Sequence, residues 1–126
     1  MKFEHFAINL PDVRTTTKWY VENLGLSIVR SIEQAPYTKF LADETGRVVI
    51  ELYSNTTVPV PDYPSMPPLN FHIAFVAANA KQVEERLIAA GATLFKEETL
   101  PDGSFLVMMR DPWGVPLQFC QRAKPF

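Results

Sequence analysis

Two short stretches alternate bulky apolar residues with smaller or polar ones and contain neither glycine nor proline: Phe3-Glu4-His5-Phe6-Ala7-Ile8-Asn9-Leu10 and Asn70-Phe71-His72-Ile73-Ala74-Phe75-Val76. Period-two alternation of this kind predicts strands. Successive side chains of a strand point to opposite faces. Phe6, Ile8 and Leu10 therefore share one face of the first, and His5, Ala7 and Asn9 the other. In the second, Phe71, Ile73 and Phe75 oppose Asn70, His72 and Ala74. The chain has two histidines, and each stands on the less apolar face of one of these matching strands.

The pattern between them changes period. Asp12 precedes a helix-like stretch over 13–23 with Thr16, Trp19, Tyr20 and Leu24 as its buried stripe, and Gly25 is placed to end it. Strands are predicted over 27–32, 37–42 and 47–53. In the last, Val48, Ile50 and Leu52 share a face and Val49, Glu51 and Tyr53 share the other. Residues 54–69 hold five prolines, Pro59, Pro61, Pro64, Pro67 and Pro68, and show no helix or strand period. They predict a stiff, extended connector long enough to reach a second chain. Beyond the histidine strand, Asn79 caps a helix over 80–90 with Val83, Leu87 and Ile88 as its stripe, and Gly91 stops it. Strands over 92–97, 104–110 and 115–121 complete the chain, with Leu117 and Phe119 opposite Pro116, Gln118 and Cys120.

The order is strand, helix, three strands, twice over. His5 to Glu51 and His72 to Gln118 are both separations of 46 residues, and Asp43 with Gly46 is matched by Asp111 with Gly114. The expected fold is α+β: two βαβββ modules, about 1–54 and 70–122, joined by the connector over 55–69 within one domain of 1–126. Their mostly antiparallel sheets form a curved cleft, with the helices on the outer face. The repeat puts His5, Glu51, His72 and Gln118 at equivalent positions, all pointing away from the helix-packed faces. Two imidazoles, a carboxylate and an amide oxygen suit a divalent first-row ion.

Composition narrows the function classes. The net charge of −2 offers no field for nucleic acid or an anionic membrane surface. No apolar run approaches the length of a spanning helix. The N-terminus lacks a signal-peptide layout, and a single cysteine, Cys120, precludes an internal disulfide and fits a reducing compartment. The expectation is a cytoplasmic protein. Trp19 and Tyr20 read as helix core, and Cys120 as a small buried thiol.

From Phe3 to Gln121 the chain resembles the vicinal oxygen chelate superfamily, the glyoxalase, bleomycin-resistance and ring-cleaving dioxygenase group. The carriers are His5-Phe6-Ala7-Ile8, Trp19-Tyr20 with Asn23-Leu24-Gly25-Leu26, Val48-Val49-Ile50-Glu51-Leu52, Phe71-His72-Ile73-Ala74 and Asp111-Pro112-Trp113-Gly114. The resemblance implies a metal in the cleft (zinc, nickel, manganese, cobalt or iron) held by His5, Glu51, His72 and Gln118, and a lyase or isomerase of the glyoxalase I type. Glyoxalase I-like enzymes usually carry a glutamate where this chain has Gln118. An amide can ligate but cannot serve as a base near neutral pH, so Glu51 is the one candidate catalytic carboxylate. Two alternatives stay open: a metal-free binding protein of the bleomycin-resistance kind, and a ring-cleaving dioxygenase, whose carboxylate would be expected at position 118. A homodimer with two equivalent clefts is expected, because one module supplies only half a cleft.

Overall fold

The computed structural model describes all 126 residues, Met1–Phe126. The chain separates into two units, Met1–Pro61 and Asp62–Phe126. The first contains β1 (Phe6–Asn9), α1 (Val13–Leu24), β2 (Ser27–Ser31), β3 (Lys39–Ala42) and β4 (Val48–Tyr53). The second contains a single 3-10 turn (Tyr63–Ser65), β5 (Ile73–Val76), α2 (Ala80–Ala89), β6 (Thr93–Thr99), β7 (Phe105–Arg110) and β8 (Pro116–Gln121). Each is a βαβββ module with an open four-stranded sheet, ordered β1-β4-β3-β2 in one and β5-β8-β7-β6 in the other. β1 runs parallel to β4 and β5 to β8, and the remaining pairs are antiparallel.

Local chemistry sets the helix ends. Asp12 accepts backbone hydrogen bonds from Arg14 and Thr15, each 3.1 Å, and Gly25 closes α1 at φ 71°, a conformation that costs glycine nothing. Asn79 accepts from the Gln82 N–H at 3.0 Å. Val13, Thr16, Thr17 and Tyr20 are buried at i, i+3, i+4 and i+7 of α1, with Trp19 beside them as expected, whereas Leu24 is only half-buried. In α2 the stripe is Ala80, Glu84 and Leu87, not the Val83, Leu87 and Ile88 expected: Ile88 is largely exposed. The buried Glu84 is held by Lys81 at 2.8 Å, and the same ammonium reaches Glu97 of β6 at 2.6 Å. A buried carboxylate with a cation at hand replaces an apolar residue in the stripe.

The cores are built from one face of each sheet. Ile50 and Leu52 of β4 are fully buried, as are Val107, Met109 and Leu117 of β7 and β8. Each such side chain stabilises its module by about 1.5–3 kcal/mol. Glu51 and Gln118 lie between these buried neighbours in sequence and so face the opposite way. The repeat is carried in the ladders. Ala7 pairs with Glu51 and Ala74 with Gln118. The outer hairpins share a register shift, Ile28/Arg30 in one and Leu94/Lys96 in the other.

The connector differs from expectation. Its second half is folded onto the second module, not extended. Asp62 caps the Tyr63–Ser65 turn, and Tyr63 is buried. Arg110 of β7 donates to the carbonyls of Tyr63 (2.7 Å) and Met66 (2.8 Å). Gly114, at φ +90°, is so close to Pro64 that a Cβ there would lie 2.5 Å from its Cγ. Proline composition reports stiffness, whereas the partners that fasten this strap are more than 40 residues away and leave no local pattern. No helix is long and apolar enough to cross a membrane.

Candidate metal and substrate site

In the first module the structure brings two of the four expected residues together. His5 lies one residue before β1, and Glu51 lies in β4. His5 Nε2 and Glu51 Oε2 are 3.2 Å apart, and each side chain is under a quarter exposed. Phe40 of β3, paired in register with Glu51, meets the imidazole edge-to-face at 5.5 Å. The other ring nitrogen, Nδ1, is 2.9 Å from Glu4 Oε2 but out of line for a hydrogen bond, so it is buried without one. Carboxylates thus flank both nitrogens of His5.

In the second module His72 also lies one residue before its strand, and Gln118 lies in β8. His72 Nδ1 is 2.8 Å from the Pro68 carbonyl oxygen. A carbonyl only accepts, so Nδ1 is the donor, and in the neutral ring the lone pair is on Nε2. This is the arrangement by which metal-ligating imidazoles are oriented. The Cys120 thiol donates to Gln118 Oε1 at 3.3 Å. Burial pushes the Cys120 thiol up from its ordinary pKa, which keeps it protonated as that donor. The Gln118 oxygen retains a second lone pair.

The donor chemistry fits a divalent ion. Two donor atoms at about 2.1 Å from one metal, separated by roughly 90–110°, stand about 3.0–3.4 Å apart, and the His5–Glu51 separation falls within that span. The structure holds no group of three or more His, Cys, Asp and Glu side chains placed to bind a metal ion; each module offers two of the four expected residues. Both histidines were expected within strands. Each instead precedes its first ladder pair, Phe6–Ile50 or Ile73–Leu117, which leaves the ring free to turn toward its partner. Glu4, Phe40, the Pro68 carbonyl and Arg110 were not singled out from the sequence. Adjacency to His5 was a usable signal for Glu4; the others depend on pairing and folding that no local pattern reveals.

A cavity of about 110 Å³ opens beside Gln118 on the second module, with Pro68, Leu69, Phe95, Leu106 and Met108 among its walls.

Solved structures share this fold at low sequence identity. An integron cassette protein from the mobile metagenome of the Halifax Harbour sewage outfall is 15% identical, with a TM-score of 0.73 over 96% of this chain and 98% of that one. A glyoxalase family protein from Enterococcus faecalis is 24% identical, with a TM-score of 0.71 over 94% and 96%. A lactoylglutathione lyase from Agrobacterium tumefaciens is 19% identical, with a TM-score of 0.67 over 94% and 92%. No curated protein matches the sequence. The sequence model of one family matches residues 2–119, nearly the whole chain, and in agreement with the paired βαβββ modules the chain belongs to the Glyoxalase/Bleomycin resistance protein/Dioxygenase superfamily.

Proposed function

We propose that this protein is a glyoxalase-like, divalent-metal-dependent enzyme, a lyase or isomerase acting next to a carbonyl of a small substrate. The supporting observation is the His5 Nε2–Glu51 Oε2 pair at 3.2 Å, repeated in position by His72 and Gln118. In this reading His5, Glu51 and His72 hold the ion, and Gln118 is a weaker fourth ligand. A bound divalent ion would act as a Lewis acid on the substrate carbonyl oxygen and so acidify the neighbouring C–H. Glu51 takes that proton and returns it to the adjacent carbon. Gln118 cannot exchange a proton near neutral pH, so the proton route runs through one carboxylate. The Pro68 carbonyl fixes the tautomer of His72, and Phe40 walls the His5 ring. In the second module Leu106 and Met108 wall the cavity beside Gln118.

A second reading, metal-free ligand sequestration, draws support from the carboxamide at position 118. The dioxygenase reading has less, since it calls for a carboxylate there. Metal analysis of protein purified without chelator or affinity-column nickel decides between the first two. The enzyme reading expects about one divalent ion per chain at near-stoichiometric load; turnover of methylglyoxal with a thiol tests only the narrower lactoylglutathione lyase reading. Metal-free protein that also fails to take up zinc, nickel, manganese, cobalt or iron sinks the enzyme reading. The reading includes a symmetric homodimer, supported by exposed Ile28 and Val29 on edge strand β2 and Leu94 on edge strand β6. Sedimentation as a monomer at micromolar concentration overturns that part. The lone buried cysteine accords with a cytoplasmic setting.

A further inference from the structure

We infer that the second module holds a short, branched apolar arm of the substrate in the cavity beside Gln118, which makes the substrate class a neutral carbonyl compound bearing an alkyl group of about three to five carbons. The inference rests on Gln118 belonging to the site proposed above. The walls named there come from four places: Pro68 and Leu69 from the strap, Phe95 from β6, Leu106 and Met108 from β7, and Gln118 from β8. The floor is the better-buried part: Met108 is 7% exposed, whereas Phe95 and Leu69 at the mouth are 55% and 89% exposed. An apolar cavity of about 150 Å³ takes a benzene ring. At about 110 Å³ this one takes an isopropyl or isobutyl group and is short of an aryl-alkyl one.

Charge sets the class as firmly as size. Lys96 and Glu98 also line the cavity, and they face each other at 3.3 Å, so the rim presents a neutral pair. A carboxylate or ammonium on the arm would lose hydration and meet one like charge for each unlike one. Gln118 is the neutral polar group at the wall, and it is the residue the repeat sets opposite Glu51 in role. An arm seated here therefore puts the polar end of the substrate at position 118.

The cavity is held open by the fold. Arg110 fastens the strap through the Tyr63 and Met66 carbonyls while its guanidinium lies 5.6 Å from the Phe95 ring, so one side chain supports both walls. Pro68 is tied to His72 by the 2.8 Å hydrogen bond. The lip of the cavity and a proposed ligand thus move together, and a pocket formed in advance spares the ligand the ordering cost of building it.

The test uses the whole chain labelled with 13C at its methionine methyls and titrated with neutral hydroxyketones, R–CO–CH2OH, with R methyl, isopropyl, isobutyl or phenethyl. The Met108 signal is assigned by its loss in Met108→Leu; Met1, Met66 and Met109 are internal references. The expected result is a Met108 shift that saturates, with the dissociation constant falling about fourfold for each added carbon up to isobutyl and rising again for phenethyl. Leu106→Trp, which fills the cavity, should flatten that series while its folded spectrum is retained. An unmoved Met108 signal, or an affinity indifferent to R in the parent protein, overturns the inference. The readout needs no turnover and no metal, so failure of the enzyme reading shows separately, in metal content and activity.

Discussion

The two modules are the same frame carrying different chemistry. β1 meets β4, and β5 meets β8, in the same parallel register, and each histidine stands one residue before its strand. In the first module that frame ends in an imidazole 3.2 Å from a carboxylate. In the second, the equivalent of Glu51 is an amide, and the histidine turns its other nitrogen to a backbone carbonyl. The strap fastened by Arg110 belongs to the second module alone. A repeat thus fixes where functional side chains stand, while single substitutions and one added loop decide what each half does. In the proposed reading, proton transfer belongs to the first module and substrate shape to the second.

The turn glycines give the largest expected contrast. Gly46 and Gly114 are repeat equivalents at φ +79° and +90°, but a Cβ on Gly46 meets nothing within 4 Å whereas one on Gly114 lies 2.5 Å from Pro64. Gly46→Ala should cost about 1 kcal/mol, for the left-handed backbone alone. Gly114→Ala adds overpacking and should cost about 3 kcal/mol or more, with faster proteolysis within residues 62–69. Urea unfolding of both variants measures the difference; equal losses would mean that the strap is not seated on the turn.

Next in size is the first module's carboxylate. Glu51→Gln should weaken metal binding by more than about a hundredfold, since loss of a direct ligand exceeds the 10–100-fold typical of its supporting partners, and should remove turnover. Isothermal titration with zinc and nickel checks it. An undiminished affinity would place the ion elsewhere. The converse substitution, Gln118→Glu, gives the second module a carboxylate and should tighten binding by about tenfold, near 1.4 kcal/mol. No gain would indicate that position 118 serves the substrate only.

The repeat was legible in the sequence because it is written in spacing. Asp12 and Asn79 as caps, Gly25 as a stop, and the buried face of Ile50 and Leu52 were all readable from local periodicity. What escaped was non-local. Glu84 occupies a buried helix position because Lys81 comes within 2.8 Å, and the strap is fixed by Arg110 from 44 and 47 residues away. Such contacts depend on tertiary pairing, which propensity does not encode. Ile88, apolar yet exposed, shows the same limit from the other side.

The smallest expected effect separates the helix caps. α1 is capped by a carboxylate, Asp12, and α2 by a neutral amide, Asn79. The Thr15 hydroxyl and backbone N–H hold the Asp12 carboxyl below its ordinary value of 3.8. A carboxyl depressed in the folded state stabilises it at pH values above the unfolded pKa, and that contribution is lost as pH falls through the folded pKa. The charged cap also interacts favourably with the helix N-terminus, by about 0.5 kcal/mol at an exposed site. Asp12→Asn should therefore cost about 0.5 kcal/mol at pH 7, a cost that shrinks as pH falls through the folded pKa of Asp12 and its cap becomes neutral. Asn79→Asp should do the reverse, adding about 0.5 kcal/mol at pH 7 that disappears over the same acid range. Other depressed carboxyls, Asp43 and Asp102 among them, titrate equally in variant and parent and cancel in the difference. Thermal melts from pH 7 to 2 read the two differences directly. A gap between Asp12→Asn and the parent that is unchanged in acid would show that the cap acts through its hydrogen bonds alone, and not through its charge.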